Sequence, residues 1–110
     1  DSKEKVRQAK LISKHIRSLK NPFIMGADLN MTPGSRVVDI VSDVSKNWII
    51  GSKIKRTTHP VVHKTVETFP DGLVVDYLFS SNDFKLKSLE APEVLVSDHL
   101  PLVAEVELKD

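Results

Sequence analysis

Pro22-Phe23-Ile24-Met25-Gly26-Ala27-Asp28-Leu29-Asn30 is the stretch on which the architecture turns. Pro22 to Met25 reads as a short buried strand ending at Gly26, and the chain then delivers two polar side chains into the loop beyond it. Asp28 and Asn30 are two residues apart and share a side. Upstream, Val6, Ala9, Ile12, Ile16 and Leu19 recur at three- and four-residue spacing among lysines and arginines, which predicts an amphipathic helix over about Lys3 to Leu19, stopped by Asn21-Pro22 and lying against a sheet. Downstream, Thr32-Pro33 reads as an N-cap and first-turn proline for a short helix through Val37, Val38, Ile40 and Val41.

From Ser42 to Val66 no period holds, and the segment reads as loop with short extended pieces around Trp48, a basic run (Lys53, Lys55, Arg56) and His59 and His63. Strands are expected over Leu73 to Phe79, Phe84 to Leu89 and Leu102 to Leu108, with Ser80-Ser81-Asn82-Asp83 as a hairpin turn between the first two. No repeat or internal linker breaks the chain, so one domain is expected.

Composition narrows the field. The 110 residues carry 16 basic and 15 acidic side chains, a formal charge of +1, so no global field recruits nucleic acid or an anionic membrane and any phosphate binding is local. The absence of cysteine removes disulfide frameworks, thiolate zinc sites and cysteine nucleophiles. No apolar run approaches the ~20 residues of a membrane span, which predicts a soluble segment without a transmembrane helix. No cleavable leader is visible, but the chain opens abruptly on a charged helix, which leaves room for a signal upstream, and composition supplies no cellular address.

Three segments carry chemistry. In Asp28-Leu29-Asn30, a carboxylate can orient or deprotonate a water while a neighbouring amide donates to a phosphate oxygen; both residues also suit a turn before Pro33. In Ser97-Asp98-His99-Leu100-Pro101, Asp98 can ligate a hard divalent cation and His99 can donate to a phosphoryl oxygen, or the pair can simply cap the final strand. Asp76 stands in the apolar run Val74-Val75-Asp76-Tyr77-Leu78-Phe79, where a carboxylate is costly unless paired. It is the candidate partner that fixes the His99 tautomer. His15, His59 and His63 lack ligand spacing to a second acid or imidazole and are expected at the surface, and Trp48 is expected in the core.

Taken in order, these segments resemble the endonuclease/exonuclease/phosphatase (deoxyribonuclease I-like) superfamily. Ala27-Asp28-Leu29-Asn30 is similar to its Gly-Asp-Phe-Asn, Asp76-Tyr77-Leu78-Phe79 to its Asp-Tyr-Ile-Phe, and Ser97-Asp98-His99-Leu100-Pro101 to its Ser-Asp-His-x-Pro, with Thr68-Phe69 as the threonine-aromatic element before the third motif. The resemblance implies an α/β fold: one mixed, mostly antiparallel β-sheet with helices on one face, half of a four-layered α/β/β/α sandwich. It implies Mg2+- or Mn2+-dependent hydrolysis of a phosphoester, such as a nucleic acid, inositol phosphate or lipid. Asp28 is then the base or water-orienting acid, Asn30 its companion at the phosphate, Asp98 a metal ligand, and His99 the phosphate-binding donor held by Asp76.

Ala27 replaces the first motif glycine, and Val74 stands where a basic residue is frequent. The family's metal-binding glutamate belongs to an N-terminal half that residues 1 to 110 do not supply. The chain therefore reads as a C-terminal half-domain, expected to pair with the missing half or with a copy of itself through its exposed sheet face. The alternative is a non-catalytic half or remnant acting as an interaction module.

Overall fold

The computed structural model describes all 110 residues. Helix α1 (Lys3–Ser18) starts at Ser2, whose side chain accepts from the Lys5 N–H at 3.1 Å, and buries the stripe Val6, Ala9, Ser13 and Ile16. Helix α2 (Arg36–Ser42) buries Val37, Val38 and Val41. Its cap is Ser35, accepting from Val38 N at 3.2 Å, and not Thr32. Thr32-Pro33-Gly34-Ser35 instead closes a turn through Ser35 N to Thr32 O at 3.2 Å, with Gly34 at φ 94°. Proline second and a positive-φ glycine third is the residue placement of a type II turn, which outcompetes a proline-led helix start.

Strand β1 (Ile24–Asp28) runs through Gly26 and ends on Asp28 itself. It pairs antiparallel with β3 (Asp76–Ser80), and the short β2 (Lys46–Asn47) occupies the other edge of β3, giving the order β1-β3-β2. Strands β4 (Phe84–Glu90) and β5 (Val103–Leu108) form a second antiparallel ladder. The expected half-sandwich is thus α/β, but its strands divide between two antiparallel sheets where one mixed sheet was anticipated, and the Ser80 to Asp83 turn joins no β3–β4 hairpin. The cause is steric: β1 and β2 already fill both edges of β3.

Residues 73–75, expected in strand, are held instead by two threonines. Leu73 O accepts from Thr57 N (2.7 Å) and Thr58 N (3.1 Å), and Leu73 N donates to Thr58 Oγ1 at 2.8 Å.

Strand alternation explains the core and the site together. In the β1–β3 register Met25 faces Phe79 and Ala27 faces Tyr77, and these point toward the helices, where Tyr77 and Phe79 pack with Val6, Ala9, Ile16, Val38 and Val41. The Tyr77 hydroxyl donates to Met31 O at 2.8 Å, tying the loop after Asn30 to the core. Burial, followed by the Asp76 charge, pushes that phenol well above its usual range and keeps it a donor. The intervening residues, Asp28 and Asp76 among them, face the opposite side.

Candidate active site

Asp28 and Asp76 are direct cross-strand partners. Leu29 N donates to Val75 O at 3.0 Å, which makes the Asp28/Asp76 position the closely spaced, non-hydrogen-bonded type of pair. Two like charges placed there repel. The imidazole of His99 answers that repulsion: its Nδ1 lies 2.8 Å from Asp76 Oδ2, and its Nε2 lies 3.8 Å from Asp28 Oδ2. The Asp76 hydrogen bond raises the His99 pKa above its ordinary value, partial burial opposes this, and the charges of Asp76, Asp28 and Asp98 reinforce it.

Threonine 57 sets the carboxylate of Asp76 in place. Fully buried, its Oγ1 accepts from Val75 N at 2.9 Å and from Asp76 N at 3.1 Å, the N–H that points away from the β1 ladder. The same segment holds the histidine: Thr58 bridges His99, Leu100 N donates to Thr57 O at 2.7 Å, and His59 N donates to Asp98 O at 2.8 Å. Ser97 Oγ, accepting from His99 N at 2.8 Å, completes the turn. A shallow depression lined by Gly26, Asp28, Asp76, Leu78, Leu100 and Leu102 opens beside the three side chains.

Asp28, Asp76 and His99 meet, with one ligand atom of each within 4.8 Å of the others. Asp98 is exposed and faces His63 and His99 rather than Asp28. Asn30 sits at φ 52°, its N–H donating to Asp28 Oδ1 at 2.9 Å, so this exposed asparagine braces the carboxylate through its backbone.

His15 is exposed as expected, but His59 and His63 are buried, at 9% and 6% exposure. Their partners at Asp98 and His99 lie over thirty residues downstream, so local spacing held no signal of them. Trp48 is half-buried, with Nε1 donating to Ser80 Oγ at 2.7 Å and the Lys46 ammonium 4.6 Å from its ring centroid. Thr68 and Phe69 lie exposed in a turn, and the threonines that touch the site are Thr57 and Thr58. Of the basic run, Arg56 is engaged by Glu93 and Asp71 O, while Lys53 and Lys55 are exposed.

Neither a protein-family model nor a curated protein matches the sequence. The fold matches the crystal structure of the endonuclease/exonuclease/phosphatase from Bacteroides vulgatus, with a TM-score of 0.76 and 25% identity over 96% of this chain. The chain is half of an endonuclease/exonuclease/phosphatase fold. It spans 44% of the length of that structure. In this chain the carboxylates of Asp28 and Asp76 with the His99 imidazole form a donor set chemically suited to a divalent cation or to a water and a phosphoryl oxygen. No helix is long and apolar enough to cross a membrane.

Proposed function

We propose that this chain supplies the water-activating and phosphate-binding side of a divalent-metal-dependent phosphoester hydrolase. The observation that carries the reading is the His99 imidazole set between two cross-strand carboxylates, one bonded at 2.8 Å and the other 3.8 Å away. A fold needing only a stable ladder would not place Asp opposite Asp at the end of a strand. Asp76 accepts from Nδ1–H and fixes the ring, and in the protonated imidazolium that the neighbouring carboxylates favour, Nε2–H donates to a phosphoryl oxygen as charge develops there. Asp28 is exposed at the strand end, where its carboxylate orients or deprotonates the attacking water. The Asn30 amide donates to a non-bridging oxygen. Asp98, together with residues of a complementary half, would hold Mg2+ or Mn2+, which when bound neutralises charge on the phosphoryl group as a Lewis acid.

Ile24 (51% exposed), Val103 (47%) and Leu108 (58%) leave apolar strand surface open, which supports docking of a second half-sandwich or a second copy. The test is hydrolysis of bis-p-nitrophenyl phosphate with Mg2+ by the protein joined to its complementary half. His99→Ala should lower kcat by about 100-fold or more, the usual size of one general-acid or charge-stabilising group, with the far-UV circular dichroism unchanged. Full activity in that variant refutes the role given to His99.

A further inference from the structure

Helix α1 carries a charge pattern that the chain's total conceals. Residues 1–20 hold 7 lysines and arginines against 2 acids, whereas residues 21–110 hold 9 against 13, so a near-neutral molecule has one strongly basic helix. Its cations are not scattered. Lys3, Arg7, Lys10, Lys14 and Arg17 follow one another at alternating steps of four and three residues, which sets them within about 80° of the helix circumference in a single file about 21 Å long. All five are exposed, and among them Arg7 alone has an acidic partner, Glu4 at 2.9 Å.

Such an arrangement works against the helix that bears it. Like charges three and four residues apart repel, and cations in the first turns oppose the positive end of the helix dipole. Packing does not require them, since α1 is held by the separate stripe of Val6, Ala9 and Ile16. The other acid of the segment, Asp1, is engaged elsewhere: its carboxylate accepts from Arg36 N at 2.9 Å and Val37 N at 3.3 Å. That latch adds a sixth cation, because Lys3, Arg7, Lys10 and Arg36, with Asp1 among them, line one cleft of about 340 Å³ between the first turns of α1 and the start of α2.

We propose that this ridge is a docking surface for the phosphate backbone of a nucleic-acid duplex. A single file of cations matches a linear polyanion, each strand of which presents one charge per about 3.4 Å of axis. Helix α1 contains no Phe, Tyr or Trp, so it offers a partner to phosphates and none to bases, and the binding is independent of base sequence. An anionic membrane suits the ridge less, because the apolar stripe that an interfacial helix inserts among lipids is here packed against Tyr77 and Phe79. With a formal charge of +1 the rest of the molecule adds no attraction, so the contact is local and sensitive to salt. The surface stands apart from the hydrolase reading, since none of its residues belongs to the Asp28, Asp76 and His99 group.

The probe is a short fluorescein-labelled DNA duplex, titrated with the purified protein in EDTA and followed by fluorescence anisotropy. The logarithm of the affinity should fall with the logarithm of salt concentration, by a slope of about 0.9 for each phosphate contact. Lys10→Gln combined with Lys14→Gln should weaken binding about tenfold or more in low salt and lower that slope by about 1.8. Glutamine is as good a helix former as lysine, so the far-UV circular dichroism should not change. Lys85→Gln combined with Lys87→Gln removes the same charge from the exposed side of β4 and should leave the affinity as it was. Absence of binding in low salt, full affinity in the Lys10 and Lys14 variant, an equal loss in the β4 variant, or tighter retention by phosphatidylserine vesicles than by the duplex overturns the proposal. The third outcome would reduce the effect to net charge, and the last would assign the ridge to a lipid surface. Because EDTA removes divalent metal, none of these readings depends on phosphoester hydrolysis, and loss of the hydrolase reading would leave them standing.

Discussion

Replacing Thr57 by valine keeps the shape of the side chain and deletes one oxygen. That oxygen accepts two backbone N–H groups, those of Val75 and Asp76, inside a residue with no exposed surface. Each N–H stranded without a partner costs about 1–3 kcal/mol, and the added methyl returns about 0.8 kcal/mol of apolar burial. The net expectation is a loss of about 1–5 kcal/mol, a substantial share of the 5–15 kcal/mol that is ordinary for a whole domain. Thr57→Ser is the matched control, since it keeps the oxygen and gives up only a methyl, about 1 kcal/mol. Urea unfolding followed by fluorescence of Trp48, the single tryptophan, compares the two. If valine costs no more than serine, the oxygen is not what holds residues 75 and 76, and the account of how Asp76 is positioned fails.

An NMR titration of His99 should show a pKa above the ordinary value near 6.5, and Asp76→Asn should bring it down. Because the folded value is the raised one, the stabilisation from the His99–Asp76 pair is complete below the ordinary value and is lost as pH rises through the folded value. Unfolding curves should therefore show wild type losing its margin over Asp76→Asn across that window, and a constant margin would contradict the pairing. Gly72 has φ 81°, and a Cβ there would lie 3.0 Å from both Arg56 Cβ and Thr58 O, whereas Gly34 at φ 94° has open space around it. Gly72→Ala should cost more than the about 1–3 kcal/mol of backbone strain expected for Gly34→Ala. Equal urea midpoints would show that the close approach is absorbed.

The parts of the site visible in the sequence are those written within a few residues at strand ends. Asp76 is conspicuous because its neighbours on both sides are apolar, and Asp98-His99 because a proline and a clean alternating strand follow at once. Thr57 and His63 were not legible for a physical reason: what makes them matter is a partner 18 to 36 residues away across a stretch with no period. A buried threonine oxygen that substitutes for ladder bonds at residues 75 and 76 leaves no local pattern either. The sheet division was hidden in the same way, since the Ser80 to Asp83 turn looks like a hairpin until Lys46 and Asn47 are seen on the edge that β4 would need. Helix positions fared better because three- and four-residue spacing is itself the packing geometry. At Thr32 the pattern misleads, because a four-residue turn uses the same proline.

The second ladder has a consequence for how His99 behaves over time. A lone pair of strands is marginal in water, and every β5 residue except Val106 is exposed. Asp28 and Asp76 ride on the three-stranded sheet beneath the helices, while His99 belongs to the connection between β4 and β5, moored by Thr57 and His59. Amide protons of β4 and β5 should thus exchange with solvent well before those of β1 and β3. The carboxylates form a fixed frame, and fraying of the outer ribbon should loosen the imidazole's seat in it without moving them.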